Sequence, residues 1–86
     1  LSISNENLVD VSSMLKHNTT LTSLLLKQCS IDATNVIHLC SALEVNSTLT
    51  CLDLEFNSIG NDGMFYLSKA LATNSTLQVL HLDTIN

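Results

Sequence analysis

Leu49-Thr50-Cys51-Leu52-Asp53-Leu54-Glu55-Phe56-Asn57-Ser58-Ile59 places leucines first, fourth and sixth, an asparagine ninth and an isoleucine eleventh. Twenty-eight residues earlier, the same places hold Leu21, Leu24, Leu26, Cys29 and Ile31. Twenty-eight residues later they hold Leu77, Leu80 and Leu82. A fixed period of this length is the mark of a stacked architecture, in which one unit cannot bury its own apolar face and needs neighbours.

The period extends beyond the leucines. Aligning Cys29–Phe56 with Asn57–Thr84 gives identity at Ser30/Ser58, Ile31/Ile59, Leu39/Leu67, Ala42/Ala70, Leu43/Leu71, Asn46/Asn74, Ser47/Ser75, Thr48/Thr76, Leu49/Leu77, Leu52/Leu80 and Leu54/Leu82. Chance would supply about two such identities in a window of this size, so the repeat outranks any short motif in the chain. Residues 1–28 fit more loosely, through Ile3, Val11, Leu15, Asn18 and Leu21. The expected units are about 1–28, 29–56 and 57–84. Ile85 departs from the pattern, standing where Asn or Cys is expected.

Each period has two halves. Leu52-x-Leu54 alternates, as in a strand with one buried face. Met64, Leu67, Ala70 and Leu71 share one face of a helix, as do Val36, Leu39, Ala42 and Leu43, and Leu8, Val11, Met14 and Leu15. The periodicity predicts strands near 22–26, 50–54 and 78–82 and helices near 6–17, 34–45 and 62–73. Asn18, Asn46 and Asn74 follow the helical runs, where asparagine readily takes the left-handed conformation that ends a helix. Thr34 is expected to cap the second helix, and Asn61 or Asp62 the third. Gly60 and Gly63 loosen the third unit's turn, whereas Asp32 and Asn35 replace them in the middle unit. Asn57 and Cys29 stand where the strand bends away. An amide there can satisfy stranded backbone groups, and a thiol does so weakly.

The 86 residues suit one domain or part of one, and 45% are hydrophobic, enough for a core. Burying each leucine contributes about 1.5–3 kcal/mol. The first residue, Leu1, falls inside a unit and neither end carries a recognisable polar cap, so a fragment of a longer array is expected. A net charge of −5 with no arginine disfavours nucleic acid and acidic membranes as partners. No apolar run approaches a membrane span. Cys29, Cys40 and Cys51 form no C-x-x-C pair, and their odd number suits reduced thiols in a cytoplasmic protein. Three N-x-S/T sequons, at Asn18, Asn46 and Asn74, all fall on the same turn of the period, so turn chemistry explains them without glycosylation. No nucleophile–base pair, phosphate-cradling loop or paired catalytic carboxylates stand out. Neither catalysis nor any cofactor or metal is expected.

The unit from Asn46 to Leu77 resembles the ribonuclease-inhibitor-type leucine-rich repeat, and its wording is most similar to the arrays of NOD-like receptors. The resemblance covers the chain, well over Asn18–Leu82 and weakly before. It implies an α/β fold, a right-handed leucine-rich-repeat solenoid or horseshoe segment with a parallel β-sheet on the concave face and α-helices on the convex face. It implies a protein-interaction module in contact with neighbouring repeats, such as the sensing or autoinhibitory region of a NOD-like receptor. Alternatives are a regulatory array that stimulates a small GTPase, like Ran GTPase-activating protein, or an inhibitor of a basic enzyme, like ribonuclease inhibitor. The absence of arginine counts against the GTPase regulator.

Strand alternation directs the residues between the leucines to the concave face. Three columns result: Ser23, Cys51 and Val79; Leu25, Asp53 and His81; Lys27, Glu55 and Asp83. The expected protein-binding set is Leu25, Lys27, Asp53, Glu55, Phe56, His81 and Asp83. Its acids form a patch for a partner with a basic surface, and Lys27 is placed to pair with Glu55. Charge reversal of Asp53 and Glu55 is expected to leave the fold intact. On the convex side, Val9, Ile37 and Phe65 occupy equivalent helix positions. Partial burial between helices is the expectation, and an exposed apolar stripe the alternative.

Overall fold

The computed structural model describes residues 5–82, with side chains from Asn7 onward. Helix and strand alternate: α1 (Asn5–His17), β1 (Ser23–Leu25), α2 (Val36–Leu43), β2 (Cys51–Asp53), α3 (Gly60–Thr73) and β3 (Val79–His81). The strands form one parallel sheet in the order β1-β2-β3, and the helices pack in sequence, α1 on α2 and α2 on α3. Parallel neighbours require a crossover, and here each crossover is a helix. The register follows the 28-residue period: Ser23 faces Cys51, which faces Val79, and Leu25 faces Asp53, which faces His81. The strands are shorter than the expected five residues, but Leu26 N–H to Asp53 O (2.9 Å) and Gln28 N–H to Glu55 O (3.0 Å) carry the pairing further.

The core is the repeated leucine set. Leu8, Leu15, Leu39, Leu43, Leu49, Leu52, Leu54 and Leu67 are buried, with Ile31, Val36 and Ile59 among them. Met14 departs from its expected inward position and is exposed. Its counterparts Ala42 and Ala70 are buried, where a small side chain lets neighbouring elements approach.

The post-helix asparagines work through their side chains and not through left-handed backbone. Left-handed φ among non-glycine residues occurs at Gln28, Ser30 and Phe56, while Asn74 is extended. Asn46 Oδ1 accepts from the N–H groups of Thr48 (3.0 Å) and Leu49 (2.8 Å), and its Nδ2 donates to Leu15 O at 2.8 Å in the preceding layer. Asn74 repeats this with Thr76, Leu77 and Leu43 O. One amide thus closes a turn and joins two layers.

The expected helix caps are also corrected. Asp32, not Thr34, organises the start of α2: its Oδ1 accepts from the Thr34 hydroxyl (2.7 Å), Thr34 N–H (3.0 Å) and Asn35 N–H (3.0 Å). Helix α3 begins at Gly60, so Asp62 lies within its first turn and neither Asn61 nor Asp62 stands at the cap. Gly60 has φ of 71°, a conformation that glycine takes without penalty. A side chain at Gly63 would overlap Cγ2 of Ile59.

Candidate functional site: the concave sheet face

The turn after each strand fixes what the concave face presents. Asn57 is buried beneath it. Its Oδ1 accepts from Cys29 N–H (2.9 Å) and Ile31 N–H (3.0 Å), and its Nδ2 donates to Leu26 O (2.9 Å), Leu54 O (3.0 Å) and Glu55 O (3.2 Å). These bonds tie the turn after β2 to the turn after β1, which holds Lys27, Glu55 and Phe56 in fixed relative positions.

Lys27 Nζ lies 3.6 Å from Glu55 Oε1 and 3.9 Å from Asp53 Oδ2, and 5.9 Å from the centre of the Phe56 ring. The lysine is half exposed, so each pair contributes about 0–1 kcal/mol. Phe56 is 60% exposed although its backbone has φ of 61°. That conformation is unusual for a bulky residue and costs on the order of 1 kcal/mol. Leu25 is 67% exposed, and Val79 is also exposed. The face is therefore a charged cluster, partly balanced by Lys27 and bordered by open apolar groups.

The expected acidic patch takes a different form. Asp53 is only 6% exposed, and its Oδ1 accepts Glu55 N–H at 3.0 Å. It is a turn-forming group with one oxygen toward Lys27. Among the described residues, the ionised groups of this cluster are two carboxylates and one ammonium. His81 is exposed beside Asp53 in register, and Asp83 lies outside the described residues. The column geometry follows from strand alternation. The depth at which Asp53 is covered does not, because it depends on a turn bond that periodicity leaves unspecified.

The convex face differs from expectation. Val9, Ile37 and Phe65 are all exposed rather than partly buried between helices. Shallow grooves run beside them: one of about 350 Å³ between α1 and α2, and one of about 260 Å³ between α2 and α3. Lys69 Nζ stands 5.4 Å from the centre of the Phe65 ring. Cys40, buried in the helix layer, has its thiol pushed up to about 11 by burial and then by Glu44, which keeps it protonated and unreactive.

Residues 45–68 match the Leucine Rich repeat family model. A solved structure, Leiomodin-1 Actin-Binding Site 2 (ABS2), matches 98% of the chain at 31% identity, with a TM-score of 0.88. The chain spans 47% of that structure's length. No curated protein matches the sequence. Family match and structural likeness together support a leucine-rich-repeat segment. Neither sets the repeat subtype.

Proposed function

We propose that the chain is a protein-interaction segment whose concave face engages a protein partner through Leu25, Lys27, Glu55 and Phe56. One observation carries this reading: the Phe56 ring stands 60% exposed at the rim of the charged cluster, 5.9 Å from Lys27 Nζ. The left-handed backbone there belongs to the turn, since Gln28 shares it at the equivalent place one layer earlier, so the open ring is the feature that points to a contact. An exposed aromatic with an aliphatic neighbour and a charged rim has the composition of an interface anchor. Glu55 is the more exposed acid of the pair beside Lys27, which suits a partner that brings a cation to the edge of an apolar contact.

Actin is the first partner to test, by analogy with the similar leiomodin segment, which is named for actin binding. The finer alternative is a NOD-like-receptor array in the cytoplasm, supported by the wording of the repeat and by cysteine usage. The test is co-sedimentation of the chain with filamentous actin and fluorescence titration with monomeric actin. Binding that falls at least tenfold in Phe56→Ala, with the fold unchanged by circular dichroism, supports the concave-face reading. Equal binding by wild type and Phe56→Ala overturns it. A second reading rests on the exposed convex stripe, and Ile37→Asp/Phe65→Asp in the same titration separates the two faces.

A further inference from the structure

The two grooves of the convex face occupy equivalent places in the period and differ in chemistry. Layers stack from α1 through α2 to α3, so each groove lies between two helices of the stack and opens outward. Both have exposed apolar walls: Val9 and Ile37, each 43% exposed, between α1 and α2, and Ile37 and Tyr66 between α2 and α3. The difference lies in charge. The α2–α3 groove is lined by Glu44 and Lys69, one of each sign. The α1–α2 groove has Lys16 where the next layer has Glu44, and gains His38 from the facing helix. Among the described residues that line it there is no acid. In a chain of net charge −5 this is a local reversal of sign. Lys16 makes no ion pair among the described residues, whose ion pairs both belong to Lys27.

A second observation points to the same groove. Ser12 lines it and is buried, and its Oγ has no hydrogen-bond partner. Its counterpart two layers later, Ser68, donates back along its helix to Met64 O at 2.8 Å. The counterpart between them is Cys40, and a thiol suits an apolar site. A hydroxyl left unpaired at that depth costs free energy until an acceptor arrives. The groove holds about 350 Å³, room for an acidic side chain and an aliphatic neighbour.

We propose that the α1–α2 groove receives an acidic segment of a protein partner. An aliphatic side chain of that segment packs between Val9 and Ile37. An adjoining Asp or Glu carboxylate accepts from the Lys16 ammonium, the His38 ring N–H and the Ser12 hydroxyl. Charge complementarity selects this occupant: a basic segment would meet like charge, and a purely apolar one would bury Lys16 and Ser12 without partners. The contact is separate from the concave face and does not rest on it.

NMR of the isotope-labelled chain tests this with three blocked peptides. These are the acidic Glu-Leu-Asp-Ile-Leu-Glu, its amide counterpart Gln-Leu-Asn-Ile-Leu-Gln, and Gln-Leu-Ser-Ile-Leu-Gln phosphorylated on serine. The acidic peptide is expected to move the amide signals of Ser12, Lys16, Ile37 and His38. It is expected to bind about tenfold more tightly than the amide counterpart, the scale of one charge-assisted hydrogen bond. Lys16→Glu and Ser12→Ala should each weaken it, whereas Lys69→Glu in the neighbouring groove should not. Lys16→Gln replaces Lys16→Glu if circular dichroism shows loss of fold. Groove signals that stay still at millimolar acidic peptide overturn the inference, as does equal affinity for the acidic and amide peptides. A response confined to Leu25, Lys27, Glu55 and Phe56 also overturns it, by moving the acidic contact to the concave face. Binding of the phosphoserine peptide alone overturns it in favour of a phosphopeptide site.

Discussion

The turns that leave β1 and β2 occupy the same place in successive layers and are built differently. In the second, the buried Asn57 side chain satisfies five backbone groups. In the first, the Cys29 thiol donates a weak hydrogen bond to Lys27 O at 3.4 Å. The turn after β2 adds Asp53, whose carboxylate holds Glu55 N–H, where the turn after β1 has the exposed Leu25. The turn after β1 adds Asp32 and Asn35, where the other has Gly60 and Gly63. A regular backbone period thus rests on two unlike sets of side-chain bonds. The asparagine of the second turn serves the first as well, through Cys29 N–H and Ile31 N–H.

The strongest way to break this comparison is Asn57→Ala. It strands donors and acceptors in both turns and should destabilise by about 3–5 kcal/mol, since each buried unsatisfied group costs about 1–3. Cys29→Ala should cost only about 1 kcal/mol, because it removes a small side chain and one weak bond. Urea denaturation of the two variants gives both numbers, and equal losses would erase the distinction.

Next in size, Asp53→Lys should destabilise by about 2 kcal/mol, as the turn loses an acceptor and gains a buried charge. Glu55→Lys should stay within about 0.5 kcal/mol, as for an exposed site. Paired thermal melts check this against the sequence expectation that reversing both acids leaves the fold intact.

A smaller effect probes the left-handed residues that precede Cys29 and Asn57. Gln28→Gly and Phe56→Gly should each stabilise by up to about 1 kcal/mol, relief of the left-handed penalty being partly offset by glycine's chain entropy. If only Phe56→Gly also weakens partner binding, the aromatic is there for contact rather than for fold.

The smallest effect is one of pH. The Thr34 hydroxyl, and then the Asn35 N–H, hold the Asp32 carboxyl below its ordinary value of 3.8. A depressed carboxylate contributes stability that is present above the unfolded value and is lost as pH falls through the lower folded value. Wild type should therefore lose this contribution below about pH 3.8. Asp32→Asn should show a flatter acid limb in a pH series of melts. Gly60, the equivalent residue in the second turn, titrates nothing.

The alternation of strand and helix was legible because leucines at fixed spacing have few ways to be buried together. The facing of Leu25, Asp53 and His81 followed from the same arithmetic. What escaped was chemistry within turns. Thr34 and Asp62 have good capping side chains, but Asp32 reaches the backbone first at α2, and α3 starts before Asp62 does. Asn18, Asn46 and Asn74 were placed correctly and given the wrong task, since their side chains close the turn and those of Asn46 and Asn74 also bridge layers. Asp53 looked exposed because a two-residue period reports direction and not depth. Met14 looked buried because it holds a place in the period that is inward in the later layers, where the small Ala42 and Ala70 fill it.

The bridging amides have a consequence for the sequons. Glycan transfer requires the asparagine Nδ2 to be free, and in the folded chain that atom of Asn46 donates to Leu15 O while the residue lies 5% exposed. Asn74 is similarly engaged through Leu43 O and Asn46 O. A sugar on the buried Asn46 nitrogen and this fold exclude one another, and one on the half-buried Asn74 nitrogen would cost bonds between layers. Forced through a secretory pathway, the chain would carry a record of its own folding order: occupancy at Asn46 or Asn74 would mark molecules modified before their layers had stacked.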